Sequence, residues 1–190
     1  MTTPPPEREE PAASRPEDAA LPRLSVRFAL RPEVEADAPF RLALFRVSRG
    51  PGWDQVQLPA DLLGKIMEQQ FHAQTQGYRA DYPQARFEIV TVGGAPVGRL
   101  VTDRRPADGL HLVDIALMPE RRGQGIGESI LRDLMEEAAA AGTAMTLQVA
   151  RDNLAAQRLY LRLGFVATAA SETHFTLRWP APPASLTRTA

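Results

Sequence analysis

The chain has 190 residues, of which 44% are apolar, a formal net charge of −1 and no cysteine. This length and apolar content suit one domain with one substantial core. A charge so close to zero argues against a nucleic-acid or anionic-membrane binder, and the lack of cysteine excludes disulfides, a thiol nucleophile and thiolate metal sites.

Other sequence features argue against further classes of protein. The three histidines, His72, His111 and His174, do not have the spacing of metal ligands, so no metal is expected. No apolar run is long enough for a membrane span, and the first residues do not resemble an export signal. We therefore expect a cytoplasmic protein whose partners include neither membranes nor nucleic acids.

Both ends of the chain are predicted to lie outside the fold. Residues 1–22 are rich in Pro, Glu, Ala and Arg, and residues 180–190 include Pro180, Pro182 and Pro183. Segments this poor in large apolar side chains bury too little surface to offset the entropy lost on ordering. The sequence thus predicts a single domain over residues 23–179 between two disordered tails.

The first half of this domain contains alternating and helical apolar patterns. The predicted elements are, in chain order, a strand over 24–30, helices over 33–47 and 60–77, and strands over 87–92 and 96–103. The cluster Gly50-Pro51-Gly52 places a loop between the two helices. Gly93 and Gly94 predict a tight hairpin between the last two strands. The apolar face of the first helix is expected to include Val34, Phe40, Leu44 and Val47.

A glycine-rich turn follows the next strand. The predicted elements on either side of it are a strand over 111–118 and a helix over 125–140. The first N–H groups of a helix lack internal partners and lie at the positive end of the helix dipole. Because Gly123, Gly125 and Gly127 have no side chains, an anion can approach this backbone closely. The pattern predicts a phosphate-binding turn.

The spacing of residues in the turn restricts which phosphate-containing ligand it can bind. A P-loop requires Lys-Ser or Lys-Thr after the last glycine, but here Glu128-Ser129 follows Gly127. A dinucleotide-binding turn requires glycine at its sixth position, which Glu128 occupies in this chain. The order Arg122-x-x-Gly125-x-Gly127 instead resembles the coenzyme A motif of the GNAT acyltransferases. For this segment alone, a glycine-rich turn without a ligand is the alternative.

A second segment strengthens that resemblance. The predicted elements here are a strand over 145–150, a short helix over 153–163, and strands over 165–168 and 173–179. Asp152 or Asn153 can cap the helix, and Gly164 ends it. The run from Asn153 to Tyr160 is similar to the other GNAT signature. With both motifs in this order, one helix and one strand apart, the chain is identified as a member of that family.

The resemblance implies a fold and a co-substrate. The fold is α/β, a mixed and mostly antiparallel sheet of about seven strands, splayed between the fourth and fifth, with about four flanking helices. The co-substrate is acetyl-CoA, with its pyrophosphate on the glycine turn and its pantetheine arm between the splayed strands. The residues that match the family's cofactor site are Ile115, Ala116, Leu117, Arg122, Gly123, Gln124, Gly125, Ile126, Gly127, Glu128, Asn153 and Tyr160.

The resemblance also implies catalytic roles. An amine attacks the acetyl group directly, without a covalent enzyme intermediate, and the tyrosine that matches Tyr160 protonates the departing thiolate. Some family members place a basic glutamate where this chain has His111, whose ordinary pKa of about 6.5 suits proton abstraction. A partly exposed strand residue is the alternative for His111. Asp114 is a candidate for substrate binding, on the face opposite to His111 unless a bulge intervenes.

The acceptor amine is the least determined feature. The segment 50–82 is expected to form its site, and aromatic with acidic side chains would suit a cationic amine. These side chains are Trp53, Phe71, His72, Tyr78, Tyr82, Asp54, Asp61, Glu68 and Asp81. A solvated amphipathic helix has the same composition. Gln148, where one branch of the family has a glutamate, argues against a ribosomal-protein acceptor.

The sequence therefore predicts an acetyl-CoA-dependent N-acetyltransferase that acts on a small-molecule or peptide amine. A small amine, an amino acid, an antibiotic or a protein N-terminus remains open as acceptor, as do a longer acyl donor and a homodimer. The alternatives are a non-catalytic acyl-CoA-binding or regulatory domain of the same family and a protein-interaction module. The presence of Tyr160 argues against the non-catalytic domain.

Overall fold

The computed structural model describes residues 26–48, 58–105 and 109–180. The strands in these ranges are β1 (Ala29–Pro32), β2 (Arg86–Val92), β3 (Ala95–Arg105), β4 (Gly109–Leu117), β5 (Met145–Ala150), β6 (Val166–Ala170) and β7 (His174–Trp179). The α-helices are α1 (Ala38–Ser48), α2 (Ala60–Asp81), α3 (Ile126–Ala140) and α4 (Leu154–Arg162). The predicted 1–22 tail, the Gly50-Pro51-Gly52 loop and most of the C-terminal tail lie outside the described ranges.

The seven described strands form one sheet in the order β1-β2-β3-β4-β5-β7-β6. All neighbours pair antiparallel except β4 and β5, which are parallel. Their pairing runs only from Leu110 opposite Met145 to Leu112 opposite Leu147. Beyond Leu112 the two strands part, and the sheet opens. The predicted fold class, a mixed seven-stranded sheet that splays between β4 and β5, is confirmed.

The larger part of the core lies on the face of the sheet that α3 covers. The apolar residues of α3 recur at three- and four-residue spacing and form one buried stripe: Ile126, Ile130, Leu131, Leu134 and Ala138. This stripe packs in one cluster with Leu110, Leu112, Met145 and Leu147. Each fully buried side chain of this kind contributes roughly 1.5–3 kcal/mol to stability. The glycine turn is thus held by a rigid helix.

Helices α1 and α2 cover the other face. Phe45 of α1 packs against Met67 and Phe71 of α2, with the two rings edge to face at 5.7 Å. No helix in the described ranges has the length and apolarity needed to cross a bilayer. The sheet therefore separates two layers, and its gap between β4 and β5 is a place where the two sides meet.

The N-terminal elements differ from their predicted bounds. The first helix begins as a 3-10 turn over Glu35–Asp37, because the Asp37 carboxylate pairs with Arg31 at 2.6 Å and accepts the Val34 N–H at 2.9 Å. Of the predicted apolar face, Val34 and Val47 are exposed and only Leu44 is buried. The buried face of α1 is instead made of Arg41, Leu44 and Phe45. The strand predicted over 24–30 is observed later, over Ala29–Pro32.

Candidate active site

The turn between β4 and α3 needs glycine at two positions. After a 3-10 turn over Pro119–Arg121, Gly123 and Gly125 have φ angles of 72° and 82°. A Cβ at either position would project into open space, so the left-handed backbone, rather than crowding, requires glycine here. Gly125 is the N-cap of α3, and no side chain caps this end. The first N–H groups of the helix are therefore available to an anion.

A cavity of about 400 Å³, here called the cofactor cleft, lies between this turn, α3, α4 and the end of β4. It is lined by every residue predicted to hold the cofactor except Ala116 and Gln124. Ala116 lines a cavity on the opposite side of the sheet. Gln124 donates a hydrogen bond to the Glu120 carbonyl at 2.7 Å, within the turn. The fold thus brings the two sequence motifs together at one cleft.

Arg122 binds backbone carbonyl groups at two separate elements. Its Nε donates to the Leu117 carbonyl at 2.9 Å and its Nη2 to the Val47 carbonyl at 3.3 Å. The guanidinium thus ties the turn to the end of β4 and to the last residues of α1, where a helix dipole favours a cation. Arg122 therefore acts on the cleft by fixing the position of the turn.

The second motif begins with a helix cap. Asn153 Oδ1 accepts the Ala156 N–H at 3.1 Å, which satisfies one of the unpaired donors at the start of α4. Seven residues later Tyr160 lies on the buried face of α4, with its ring 5.7 Å from that of Phe165. Both Asn153 and Tyr160 line the cofactor cleft. The cap therefore sets the direction in which Tyr160 is presented.

The surroundings of Tyr160 keep its hydroxyl protonated. Tyr160 is 6% exposed, and burial raises its pKa to about 12, with the negative charge of Asp114 adding to the effect. At neutral pH such a phenol holds its proton and can only donate it.

His111 does not lie at the cofactor cleft. It belongs to the short segment where β4 and β5 still pair, opposite Thr146. Its Nδ1 forms a hydrogen bond with Thr146 Oγ1 at 2.9 Å, and its ring stacks on that of Tyr82 at 5.6 Å. It lines neither the cofactor cleft nor the cavity that contains Asp114. The structure does not bring His111 together with Tyr160, because the strands open only after Leu112.

A β-bulge in β4 changes which side chains share a face. Val101 of β3 pairs with Asp114, whereas the next residue, Thr102, pairs with Leu112, so Val113 is an extra residue. The extra residue reverses the alternation along the strand. Asp114 therefore lies on the same face as His111, the face covered by α1 and α2. The sequence pattern alone gives no sign of the bulge, and it left Asp114 as a substrate-binding candidate only.

Asp114 has the electrostatic properties of a base. Burial raises the pKa of its carboxyl to about 6, although the positive charge of Arg99 and the Ile115 backbone act in the opposite direction. Its Oδ2 lies 3.8 Å from Arg99 Nη1, and about a quarter of its side chain is exposed, at 26%. Asp114 thus lies beside Arg99, on the part of β4 that no longer pairs with β5. Sequence reasoning missed this role.

On the side of α1 and α2, a second cavity of about 210 Å³ borders Asp114; we call it the acceptor-side cavity. It is lined by Arg41, Leu44, Phe45, Ser48, Phe71, Gln74, Arg99, Asp114 and Ala116. Of the described side chains in the segment 50–82 that were predicted to form the acceptor site, only Phe71 belongs to this lining; Asp114, the substrate-binding candidate on β4, also belongs to it. Trp53 and Asp54 fall outside the described residues.

The predicted acidic residues of α2 do not line that cavity. Asp61 and Asp81 are exposed, and Glu68 pairs with Arg46 at 3.2 Å. His72 is exposed on the helix surface, as predicted. The expectation of carboxylates from α2 around a cationic amine is therefore wrong, because these positions face solvent while two arginines line the cavity. In the described part of the chain, no group of His, Asp or Glu side chains forms a metal site.

Comparison with known families decides the assignment. The sequence profile described as "Acetyltransferase (GNAT) family" matches residues 57–165, which span both motifs and strands β2 to β5. The chain belongs to the GNAT acetyltransferase family. The predicted family, and an acyltransferase of this class as the type of enzyme, are thereby confirmed. No functionally curated protein matches the sequence significantly.

Solved structures share the GNAT fold at low sequence identity. PaiA N-acetyltransferase from Thermoplasma acidophilum, in complex with coenzyme A, has a TM-score of 0.62 at 14% identity and covers 81% of this chain and 99% of its own. The ribosomal-protein-S18-alanine N-acetyltransferase from Escherichia coli has a TM-score of 0.57 at 20% identity, covering 85% and 98%. The putative acetyltransferase yncA from Salmonella typhimurium, with its cofactor acetyl-CoA, has a TM-score of 0.53 at 15% identity, covering 86% and 99%.

Proposed function

We propose that this GNAT protein transfers the acetyl group of acetyl-CoA to a primary amine. The family assignment supports acetyl transfer, and two of the structural neighbours are named with coenzyme A or acetyl-CoA. The residues of this chain fit the co-substrate, since the N-terminus of α3 lacks a side-chain cap and its glycines leave space that a Cβ would fill. The observation that carries the proposal is that this turn and the buried Tyr160 line the same cleft.

Different elements around the cleft bind different parts of acetyl-CoA. The backbone N–H groups at the start of α3 hold the pyrophosphate, because they are unpaired and lie at the positive end of the helix dipole. Ile115 and Leu117 line the cleft on the part of β4 that has left β5, so their backbone groups can pair with the pantetheine arm. When bound, acetyl-CoA supplies an acetyl group activated as a thioester.

Two side chains move the protons. The amine nitrogen bonds to the acetyl carbon while the carbon–sulfur bond breaks, so the nitrogen must lose a proton and the thiolate must gain one. Asp114 takes the proton from nitrogen and Tyr160 gives one to sulfur; the proton on Asp114 then restores Tyr160. A carboxyl with a pKa of about 6 and a phenol with a pKa of about 12 are in the required states at neutral pH.

The first test is calorimetric titration of the purified chain with acetyl-CoA. We expect micromolar binding that is lost in Gly125→Glu, because a carboxylate side chain would then occupy the anion-binding turn. Gly142→Glu is the matched control: Gly142 also has a positive φ, of 64°, and open space around its Cβ, but it lies beyond the other end of α3. Both variants carry the same backbone strain, and only one changes the cleft.

Equal binding by the two glycine variants would contradict the assignment of the turn. Failure of the folded wild-type chain to bind acetyl-CoA would overturn the proposed function itself. Where binding is found, release of free thiol from acetyl-CoA on addition of primary amines measures the transfer.

A further inference from the structure

The acceptor-side cavity has a wall with more positive than negative charge. Glu33, whose side chain is 1% exposed, accepts hydrogen bonds from Arg41 at 2.7 Å, Arg99 at 2.8 Å and Arg79 at 3.1 Å. The carboxylate of Asp114 lies 3.8 Å from Arg99. Arg79 is 55% exposed and does not line the cavity. The charged side chains of the lining are therefore Arg41, Arg99 and Asp114, with Glu33 behind both arginines.

Two of these guanidinium groups are almost fully buried and have unused donors. The side chains of Arg41 and Arg99 are 7% and 6% exposed. Nε of Arg41 and Nη2 of Arg99 are buried without a hydrogen-bond partner among the described residues. A buried charged donor without an acceptor destabilises the folded protein. A carboxylate in the cavity would be a charged acceptor for these two guanidinium groups, since it pairs with guanidinium through two oxygens.

The rest of the wall combines apolar side chains with the polar Ser48 and Gln74, and the space is small. Leu44, Phe45 and Phe71 contribute a leucine side chain and two aromatic rings. The volume of about 210 Å³ is below the roughly 300–1,000 Å³ of pockets for drug-sized ligands. The cavity therefore suits a compact molecule that has one apolar group, one negative charge and an amine for transfer.

We propose that the acceptor is an α-amino acid with an apolar side chain, its carboxylate held by Arg41 and Arg99 and its amine directed to Asp114. This inference rests on the proposed acetyl transfer, because it names the substrate of that reaction. A polyamine is disfavoured at this wall, since buried guanidinium groups repel further positive charge. A peptide N-terminus presents an amide in place of the carboxylate and cannot form a charge-assisted pair with the two arginines.

The carboxylate does not react. In the transfer the amino nitrogen gains a bond to the acetyl carbon and loses a proton to Asp114, and the sulfur loses its bond to carbon and gains a proton. The products are an N-acetyl amino acid and coenzyme A with a free thiol. The role of the two arginines is to position the amine.

The test compares matched acceptors with the wild-type chain. L-Leucine, L-leucinamide and isoamylamine share the amine and the side chain, and only the first has a carboxylate; L-phenylalanine, its amide and phenethylamine form a second set. We expect thiol release with kcat/KM at least about tenfold higher for the amino acid than for its amide. Because the amide has the less basic amine, an enzyme indifferent to the carboxylate would favour the amide.

Substitutions on α1 test whether Arg41 causes the preference for the amino acid over its amide. Arg41→Gln should remove the preference for the amino acid and weaken amino-acid binding, measured by calorimetry without acetyl-CoA, at least about tenfold. Its acetyl-CoA affinity should not change, because Arg41 does not line the cofactor cleft. Arg46→Gln is the control on the same helix, since Arg46 is 45% exposed and pairs with Glu68 at the surface. If Arg41→Gln does not fold, the wild-type comparison alone decides.

The outcomes separate this inference from the proposed function. Equal or faster transfer to the amide or the decarboxylated amine would overturn the carboxylate site and leave acetyl transfer intact. Transfer to none of the six compounds would overturn the amino-acid assignment, and the parallel acetyl-CoA titration shows whether the proposed function fails with it.

Discussion

Asp114 and Tyr160 are two ionisable groups whose surroundings push them into opposite roles. The carboxyl has a pKa raised to about 6, so it is ionised and basic at neutral pH, while the phenol has a pKa raised to about 12 and stays protonated. Burial is the main cause of both shifts, and the negative charge of Asp114 further disfavours ionisation of Tyr160. Pairs of groups separated in this way are typical of acid–base sites.

Replacement of Asp114 by Asn should lower kcat/KM by about 10²–10⁴-fold, the usual contribution of a general base. The ratio of wild-type to variant kcat/KM should rise with pH up to about 6 and then level off, because only the ionised carboxyl accepts a proton. Taking the ratio cancels the titration of the acceptor amine. His111→Gln is the control, and a profile flattened by that variant instead of Asp114→Asn would make His111 the base.

The same Asp114→Asn variant should be more stable than the wild type at high pH. The folded protein keeps the Asp114 proton up to about pH 6, whereas the unfolded chain loses it near the ordinary value of 3.8, so stability falls as pH rises between these values. At pH 8 the variant avoids that cost, on the order of 1–3 kcal/mol. Thermal unfolding at pH 8 and pH 4 measures it: the gain in Tm should appear at pH 8 and vanish at pH 4.

Tyr160→Phe keeps the ring and its packing against Phe165 and removes only the hydroxyl. We expect kcat to fall by about 10²-fold or more, since the thiolate then leaves without a proton donor. Acetyl-CoA affinity, measured by calorimetry, should stay within about twofold, because the ring still lines the cleft. Unchanged turnover at saturating acceptor would exclude Tyr160 as the acid.

At the scale of single elements, the bulge in β4 and the cap of α4 set the geometry of the site. The extra residue Val113 puts Asp114 on the face of α1 and α2, while Ile115 and Leu117 line the cofactor cleft on the other face. The cap at Asn153 fixes the start of a short helix of nine residues that presents Tyr160. Short helices depend strongly on their ends.

Asn153 variants separate the cap from cofactor binding. Asn153→Ala should lower the free energy of unfolding by about 0.5–2 kcal/mol, because the Ala156 N–H loses its acceptor. Asn153→Asp should keep most of that stability, since a carboxylate caps equally well. Urea unfolding measures this, and acetyl-CoA titration of both variants completes the comparison. Weaker binding in both would show that the amide also contacts the co-substrate; intact binding by the aspartate variant would limit Asn153 to the cap.

At the scale of the whole molecule, the sheet places the two halves of the reaction on opposite sides. The cofactor cleft lies among α3, α4 and the end of β4, and the acceptor-side cavity lies against α1 and α2. The two sides meet where β4 and β5 part after Leu112 and Leu147. Arg122 links the sides structurally, since it bonds the end of β4 and the C-terminal part of α1.

The sequence by itself determined the family and the fold, and it named ten of the sixteen residues that line the cofactor cleft, whose role in binding stays a prediction. These features depend on local patterns: the glycines of the turn, the apolar stripe of α3 and the capped helix that carries Tyr160 can each be recognised within a short segment. Helix and strand bounds from β2 onwards lie within a few residues of their predicted positions for the same reason.

The proposed base and the acceptor-side cavity could be recognised only in the tertiary structure. Asp114 shares a face with His111 because Val113 has no pairing partner in β3. Nothing in the local sequence marks Val113 as the position of a bulge. Arg41 and Arg99 are charged residues that a sequence pattern assigns to solvent, yet Glu33 holds both of them in the interior. Their burial depends on partners that are distant in the chain, and no local pattern encodes such a pairing.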